Sequence, residues 1–104
     1  MAQFDVYENQ NPETNQSIPF LLDVQADLLD NLATRVVVPL IAVSAMGKAA
    51  NHLNPQFTIN RTSVVMSTAE LAGVNVHILG RNVCSLKEMR KEIIAALDFL
   101  FTGF

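Results

Sequence analysis

The chain ends in the sequence SLKEMRKEIIAALDFLFTGF, residues 85–104, which decides the type of fold. Ser85 and Glu88 have the S-x-x-E spacing of a capping box and predict a C-terminal helix over about residues 85–102. Apolar side chains recur along this helix at three- and four-residue spacings, at Leu86, Met89, Ile93, Leu97, Leu100 and Phe104. The chain therefore closes with an amphipathic helix that needs a core to pack against.

Residues 93–104 are apolar except for Asp98 and Thr102. A helix that is apolar on nearly every side must be covered from several directions, and a domain of 104 residues has little interior for this purpose. We therefore expect a second copy of the chain to cover part of this helix. The exposed end of the segment is a candidate docking surface for another protein.

The sequence before the helix has the alternating, β-branched character of short strands. We predict them at residues 3–7, 20–24, 35–43, 57–59, 64–66 and 74–79. The third is nearly all apolar and should be buried on both faces, with Pro39 marking a bulge, kink or strand end. Gly80 should close the sixth. These elements predict a mainly β fold with a C-terminal α-helix, forming one domain over residues 1–104.

Two polar segments separate the strands. Residues 9–17, NQNPETNQS, contain no core-forming side chain and predict an exposed, mobile loop. Residues 44–51 are small and predict a weak helix or a loop. The hairpin formed by the fourth and fifth strands should turn at residues 60–63.

Composition narrows the class of protein. Half of the residues are hydrophobic and 16% are charged, which indicates one globular domain with apolar surface left for an oligomer. A net charge of −3 argues against a general nucleic-acid binder. The longest apolar run, residues 36–43, is far shorter than the about 20 residues of a membrane span. The N-terminus lacks signal-peptide features, and Cys84 is the single cysteine, so we expect a cytoplasmic protein.

Motifs for catalysis or metal binding are missing from the sequence. It contains no HExxH, CxxC, GxSxG or phosphate-binding glycine loop, and we assign no catalytic residue, metal or cofactor. Three aspartates, Asp23, Asp27 and Asp30, are interpreted as solvated turn residues and caps. An alternative is that Arg35 and His52 supply the charge stabiliser and base of a nuclease.

One segment carries a family resemblance. Residues 23–30, DVQADLLD, are followed by Arg35-x-Val37-x-Pro39-Leu40, and this pattern resembles the CcdB family of plasmid and chromosomal toxins. The similarity extends in register over almost the whole chain. It includes QF-x-VY at residue 3, L-x-P at residue 53, V-x-V at residue 74, I-x-G at residue 78 and F-x-G at residue 101.

The resemblance implies a fold, partners and a mechanism. CcdB-like toxins are homodimers with an SH3-like β-barrel core and a C-terminal helix at the dimer seam. They are not enzymes: the dimer binds between the two GyrA subunits of DNA gyrase and traps the cleaved DNA complex. A CcdA-like antitoxin neutralises the toxin, and the pair represses its own operon in plasmid maintenance. DNA is then contacted only indirectly, through gyrase or the antitoxin complex.

The resemblance also implies site residues. The gyrase-binding surface would comprise Leu28, Leu29, Asp98, Phe101, Thr102, Gly103 and Phe104. The dimer interface would comprise Ile93, Leu97 and Leu100. The chain departs from the family's well-known toxin at Thr102, where that toxin has Trp, and at Asp98, where it has Asn. It also has Glu13 in a loop that is basic in that toxin.

Two other functions stay open from the residues. A MazF-like mRNA endoribonuclease on the same scaffold would use Arg35 or His52. A degenerate toxin would retain only antitoxin binding, and Thr102 is the residue that favours this alternative.

Overall fold

A computed structural model describes residues 1–49 and 52–103 of the chain. Its strands are β1 (Asp5–Asn9), β2 (Phe20–Asp23), β3 (Thr34–Ala42), β4 (Gln56–Ile59), β5 (Thr62–Met66), β6 (Ala72–Asn75) and β7 (Leu79–Ser85). The helix α1 spans Arg90–Thr102, and single 3₁₀ turns occur at Asp27–Leu29, Thr68–Glu70, Val76–Ile78 and Lys87–Met89. The prediction of a mainly β fold with a C-terminal helix is confirmed.

The strands form one antiparallel sheet in the order β4-β5-β3-β2-β1-β7, which curls into a half-barrel. The long strand β3 has two partners on one edge: β6 pairs with its first half and β5 with its end. Of the bulge, kink or strand end expected at Pro39, the strand end is wrong, because β3 continues to Ala42. The carbonyl of Pro39 instead accepts from the N–H of Ser67 at 3.0 Å, where the chain leaves β5. A residue without a donor is therefore tolerated where the ladder changes partner.

Both faces of the sheet are covered near its centre. Val38 and Leu40 point into the main core, which includes Ile93 of α1, while Val37 packs into a second cluster with Tyr7. Successive side chains of a strand face opposite sides, so this alternation requires apolar cover on both. The prediction that β3 is buried on both faces is confirmed at these positions. The β4–β5 hairpin is also confirmed, with a two-residue turn at positive φ.

The predicted capping box at Ser85 does not start the helix. Ser85 is the last residue of β7 and pairs with Asp5, and the N–H of Leu86 still donates to the Phe4 carbonyl at 2.8 Å. The chain therefore stays on the sheet through residue 86. It then makes the 3₁₀ turn Lys87–Met89, and α1 begins at Arg90. Ser85 Oγ accepts from the N–H of Lys87, the first residue of that turn.

The predicted strand over residues 74–79 is wrong. The side chain of Asn75 ends β6 by accepting from the N–H of His77 at 2.9 Å, and Val76–Ile78 form a 3₁₀ turn. Strand β7 then runs through Gly80 instead of ending there. Its sequence, LGRNVCS, has little apolar alternation because β7 is an edge strand with solvent on one face. Residues 43–45 form a turn, residues 46–49 follow without a helix, and Ala50 and Asn51 lie outside the described residues.

Candidate functional site

Four large apolar side chains stand exposed at one end of the fold. The exposed fractions are 96% for Leu28, 49% for Leu29, 50% for Leu32 and 70% for Phe101. The three leucines belong to the connection between β2 and β3, whereas Phe101 is in the last turn of α1. Apolar side chains that gather on a surface indicate a contact site for another molecule more strongly than scattered ones do.

An apolar groove joins these two parts of the chain. It encloses about 480 Å³ between the β2–β3 connection and α1. Its lining residues are Val24, Gln25, Ala26, Leu29, Leu32, Thr34, Val36, Leu71, Leu97 and Phe101. The structure therefore brings Leu29 and Phe101, two residues of the sequence-predicted surface, to one groove, with Leu28 next to Leu29 in the chain.

Gln25 holds the β2–β3 connection from inside. Its side chain is buried, and its amide Nε2 donates to the carbonyl of Leu29 at 2.9 Å. Its Oε1 accepts from the N–H of Val36 at 3.0 Å, and its own N–H donates to Asp23 Oδ1 at 3.0 Å. The side chain of Gln25 therefore links the exposed turn to β3, and its backbone N–H adds a bond to the end of β2.

A charge network lies beneath the same turn. Arg35 is fully buried, with Nε 2.8 Å and Nη2 2.7 Å from Asp23 Oδ2. Its Nη1 donates to Asp30 Oδ1 at 2.9 Å. Burial raises the pKa of Asp23, while the hydrogen bonds from Arg35 and from the N–H of Gln25 act in the opposite direction. The interpretation of Asp23 as a solvated turn residue is wrong because the guanidinium of Arg35 lets its carboxylate be buried.

Asp27 and Asp30 do behave as exposed turn residues. Asp27 Oδ1 accepts from the backbone N–H of Gln3 at 2.7 Å, which ties the N-terminus to the turn. The 3₁₀ turn itself is closed by the N–H of Asp30, which donates to the carbonyl of Asp27 at 3.1 Å. The turn is thus fixed at its base although its leucines are exposed.

The end of α1 presents its predicted residues in different directions. Asp98 lines a separate shallow pocket with Arg90, Lys91 and other residues of the outer helix face. The hydroxyl of Thr102 donates to the carbonyl of Asp98 at 2.7 Å, so it is used within the helix. Gly103 has φ of +80° and its N–H donates to the Phe99 carbonyl, which makes it the helix C-cap. Phe104 lies outside the described residues.

The residues predicted for the dimer interface differ in exposure. Ile93 is fully buried in the core of the protomer, so it has no surface to offer a partner. Leu97 and Leu100 are half-buried and retain accessible surface. Of the three residues predicted for the dimer interface, only Leu97 and Leu100 have surface that a second copy could cover. The interface and the dimer itself stay predictions.

The two residues of the nuclease alternative differ in their access to a substrate. Arg35 is enclosed by its carboxylate partners and cannot meet a substrate at the surface. His52 is exposed, with its ring centroid 6.2 Å from that of Phe99. Over residues 1–49 and 52–103, no three His, Cys, Asp or Glu side chains are grouped to hold a metal ion. The same part of the chain contains no helix long and apolar enough to cross a membrane.

Sequence reasoning missed the groove and the polar network below it. Leu32 follows Leu28 and Leu29 closely, and a third leucine in a short turn was a usable signal. Arg35 at the start of an apolar strand was another, because a charge in such a position is paired when it is buried. The pairing of Gln25 with the Leu29 carbonyl had no sequence signal.

Comparison with known families places the chain next to one of them over almost its full length. A family model described as CcdB protein matches residues 3–103, nearly the whole chain.

Proposed function

Because the chain belongs to the CcdB family and is thus the toxin of a toxin–antitoxin pair, we propose that it acts by binding the GyrA subunits of DNA gyrase. In this proposal the bound toxin traps the cleaved DNA complex and catalyses no reaction itself. The family match supports the toxin role, and the exposed apolar surface supports a protein target.

The exposure of Leu28 is the observation that carries the proposal. Its side chain is 96% exposed and gains nothing from the core of the protomer. Burying a leucine side chain stabilises a complex by about 1.5–3 kcal/mol, so a partner that covers it would gain that contribution. Leu29 and Phe101 extend this surface along the groove. The ring of Phe101 adds aromatic area, which often dominates interface energies.

The target explains why a homodimer is part of the proposal. Two copies related by a two-fold axis would present the apolar groove twice, and the two GyrA subunits are related by an axis of the same kind. Leu97 and Leu100, which retain exposed area on α1, are the proposed contacts between the copies. Leu97 also lines the groove, so the dimer seam and the target surface would be continuous.

We further propose that a CcdA-like antitoxin neutralises the toxin and that it contacts the polar loop at residues 9–17. The loop at residues 9–17 contains Glu13 and no arginine. An antitoxin that recognises this chain should therefore depend less on acidic residues opposite this loop than one paired with a basic loop.

A cleavage assay with purified gyrase and supercoiled plasmid tests the proposal. The full chain should convert plasmid to a linear form that becomes visible after protease treatment, and should do so with sensitive but not with toxin-resistant gyrase. Leu28→Asp should abolish the linear product. Val43→Asp is the matched control, since Val43 is 41% exposed at the far end of β3, and it should leave the product unchanged.

One combined result would contradict gyrase poisoning. Unaffected growth on overexpression together with no linear product would exclude gyrase as the target. Antitoxin binding that survives in the same preparation would then identify a toxin that has lost its target. The hydroxyl of Thr102, engaged within its own helix, is the observation that favours that second function.

A further inference from the structure

A buried guanidinium is one of the connections between the turn that exposes Leu28 and the protein interior. We propose that Arg35 is a positioning residue, which holds Asp30 and thereby fixes the turn that offers Leu28 and Leu29 to the partner. This proposal rests on the proposed function for the identity of the partner. It assigns a role to side chains that lie outside the predicted contact surface.

The geometry of the guanidinium carries the first step. Two of its nitrogens, Nε and Nη2, face Asp23 Oδ2 at 2.8 and 2.7 Å inside the fold. The group is planar and rigid, so fixing one edge also fixes the direction of the remaining nitrogen. That nitrogen, Nη1, donates to Asp30 Oδ1 at 2.9 Å. The position of Asp30 is therefore set by a buried anchor, although the Asp30 side chain is 54% exposed.

A second tie from the interior acts on the same side of the leucine pair as Asp30. The buried amide of Gln25 donates to the carbonyl of Leu29, immediately before Asp30. Leu28 lies between Asp27, which holds the N–H of Gln3, and this tie. The side chain of Leu28 is 96% exposed, so packing against the core does not hold it in place. The conformation of the turn is therefore fixed by the polar contacts of the neighbouring residues.

Stability alone does not account for burying an arginine here. Replacing a buried ion pair by apolar side chains of similar volume is often neutral or stabilising. The network therefore has a different benefit, which is a turn that is already ordered before the partner arrives. A surface ordered in advance loses less conformational entropy on binding, and this raises affinity without a new contact.

Asp30→Ala tests the connection while leaving the Arg35–Asp23 pair in place. We expect amide hydrogen exchange in residues 26–33 to become at least about five-fold faster, since the turn loses its anchor. Affinity for gyrase should fall by about three- to ten-fold. The urea midpoint should change little because the pair is partly exposed. Glu8→Ala, which removes the exposed ion pair with Arg81, is the matched control and should leave exchange in this segment and affinity unchanged.

Two further variants separate positioning from direct contact. Asp30→Asn keeps the acceptor for Arg35 Nη1 and should restore most of the exchange protection and affinity. The double variant Asp23→Leu with Arg35→Met removes the buried anchor, and it should accelerate exchange in the same segment while the protein stays folded.

Unchanged exchange in Asp30→Ala would overturn the proposal whatever happens to gyrase binding. Lower affinity with unchanged exchange would mean that Asp30 touches the partner directly, which also overturns it. If the unaltered chain fails to bind gyrase, the proposed function fails. The exchange result then still decides whether Arg35 positions the turn through Asp30.

Discussion

Arg35 on β3 and Asp23 at the end of β2 form an ion pair that is wholly buried, with 2.8 Å between Arg35 Nε and Asp23 Oδ2. Each residue offsets part of the cost of burying the other's charge, and Arg35 also reaches Asp30 in the turn that exposes Leu28. The first prediction concerns what happens when only one of the two charges is removed.

Asp23→Asn or Arg35→Met should each lower the free energy of unfolding by about 3–5 kcal/mol, because the remaining charge is left buried without its partner. The double variant Asp23→Leu with Arg35→Met should be more stable than either single one by at least about 2 kcal/mol. Urea denaturation at neutral pH measures all three. Additive losses in the double variant would contradict the interpretation of a coupled pair.

The ionisation of Tyr7 gives a pH prediction that can be observed directly. Burial, followed by the negative charge of Asp5, raises the pKa of Tyr7 to about 12. Tyr7 is the single tyrosine and the chain has no tryptophan, so tyrosinate absorbance near 295 nm reports this residue alone. Absorbance should increase with a midpoint near pH 12 in the folded protein, compared with about 10 after unfolding.

The same shift predicts how stability depends on pH. Below pH 10 Tyr7 is protonated in both states, so its full contribution is present. Between pH 10 and 12 the unfolded chain loses the proton first, and the free energy of unfolding should fall by roughly 2–3 kcal/mol. Tyr7→Phe should lack this part of the decline. An equal decline in both proteins would show that other groups cause it.

Gly80→Ala should lower the free energy of unfolding by about 1–3 kcal/mol. A Cβ at this position would lie 2.7 Å from the backbone oxygen of Glu8 on the neighbouring strand, so β1 and β7 would have to separate. Gly73→Ala is the matched control on β6, where a Cβ meets nothing within 4 Å. The control should stay within about 1 kcal/mol of the unaltered protein. Thermal or urea unfolding compares them, and similar losses in both variants would contradict the steric argument.

Phe101→Ala separates binding from folding. The side chain is 70% exposed, so the free energy of unfolding should change by no more than about 1 kcal/mol. Formation of the trapped gyrase complex should nevertheless need at least about ten-fold more toxin, because an exposed aromatic residue on the groove is removed. Val43→Ala should change neither quantity. Normal trapping by Phe101→Ala would remove Phe101 from the contact surface.

A nearly continuous apolar, β-branched run was sufficient to predict β3, and the three- and four-residue spacing of apolar residues was sufficient to predict the C-terminal helix. Alternation along β3 places Val37 and Val38 on opposite covered faces, and both are buried as expected. The start of the helix was predicted wrongly because the capping-box pattern is local. The pairing of Leu86 with the Phe4 carbonyl, which keeps the chain extended, joins residues far apart in sequence.

Only the part of the candidate site that depends on a local pattern was predictable from the sequence. Leu28 and Leu29 were recognisable as adjacent leucines in a turn, and both are exposed. Their connection to Phe101 through the groove depends on how the β2–β3 connection packs against α1, which no local pattern encodes. The family resemblance supplied these residues together, while the burial of Ile93 and Asp23 required the three-dimensional arrangement.

The pairing of β1 with β7 has a consequence for synthesis of the chain. Asp5 pairs with Ser85, and Phe4 and Val6 share a core with Ile93 of α1, so the first strand, which pairs early with β2, meets its other partners only after β7 and α1 have been made. Phe101 is made later than all of them. A prematurely terminated chain would lack part of its core as well as one wall of the groove. The cell would therefore encounter the groove with both of its walls only on chains that include α1.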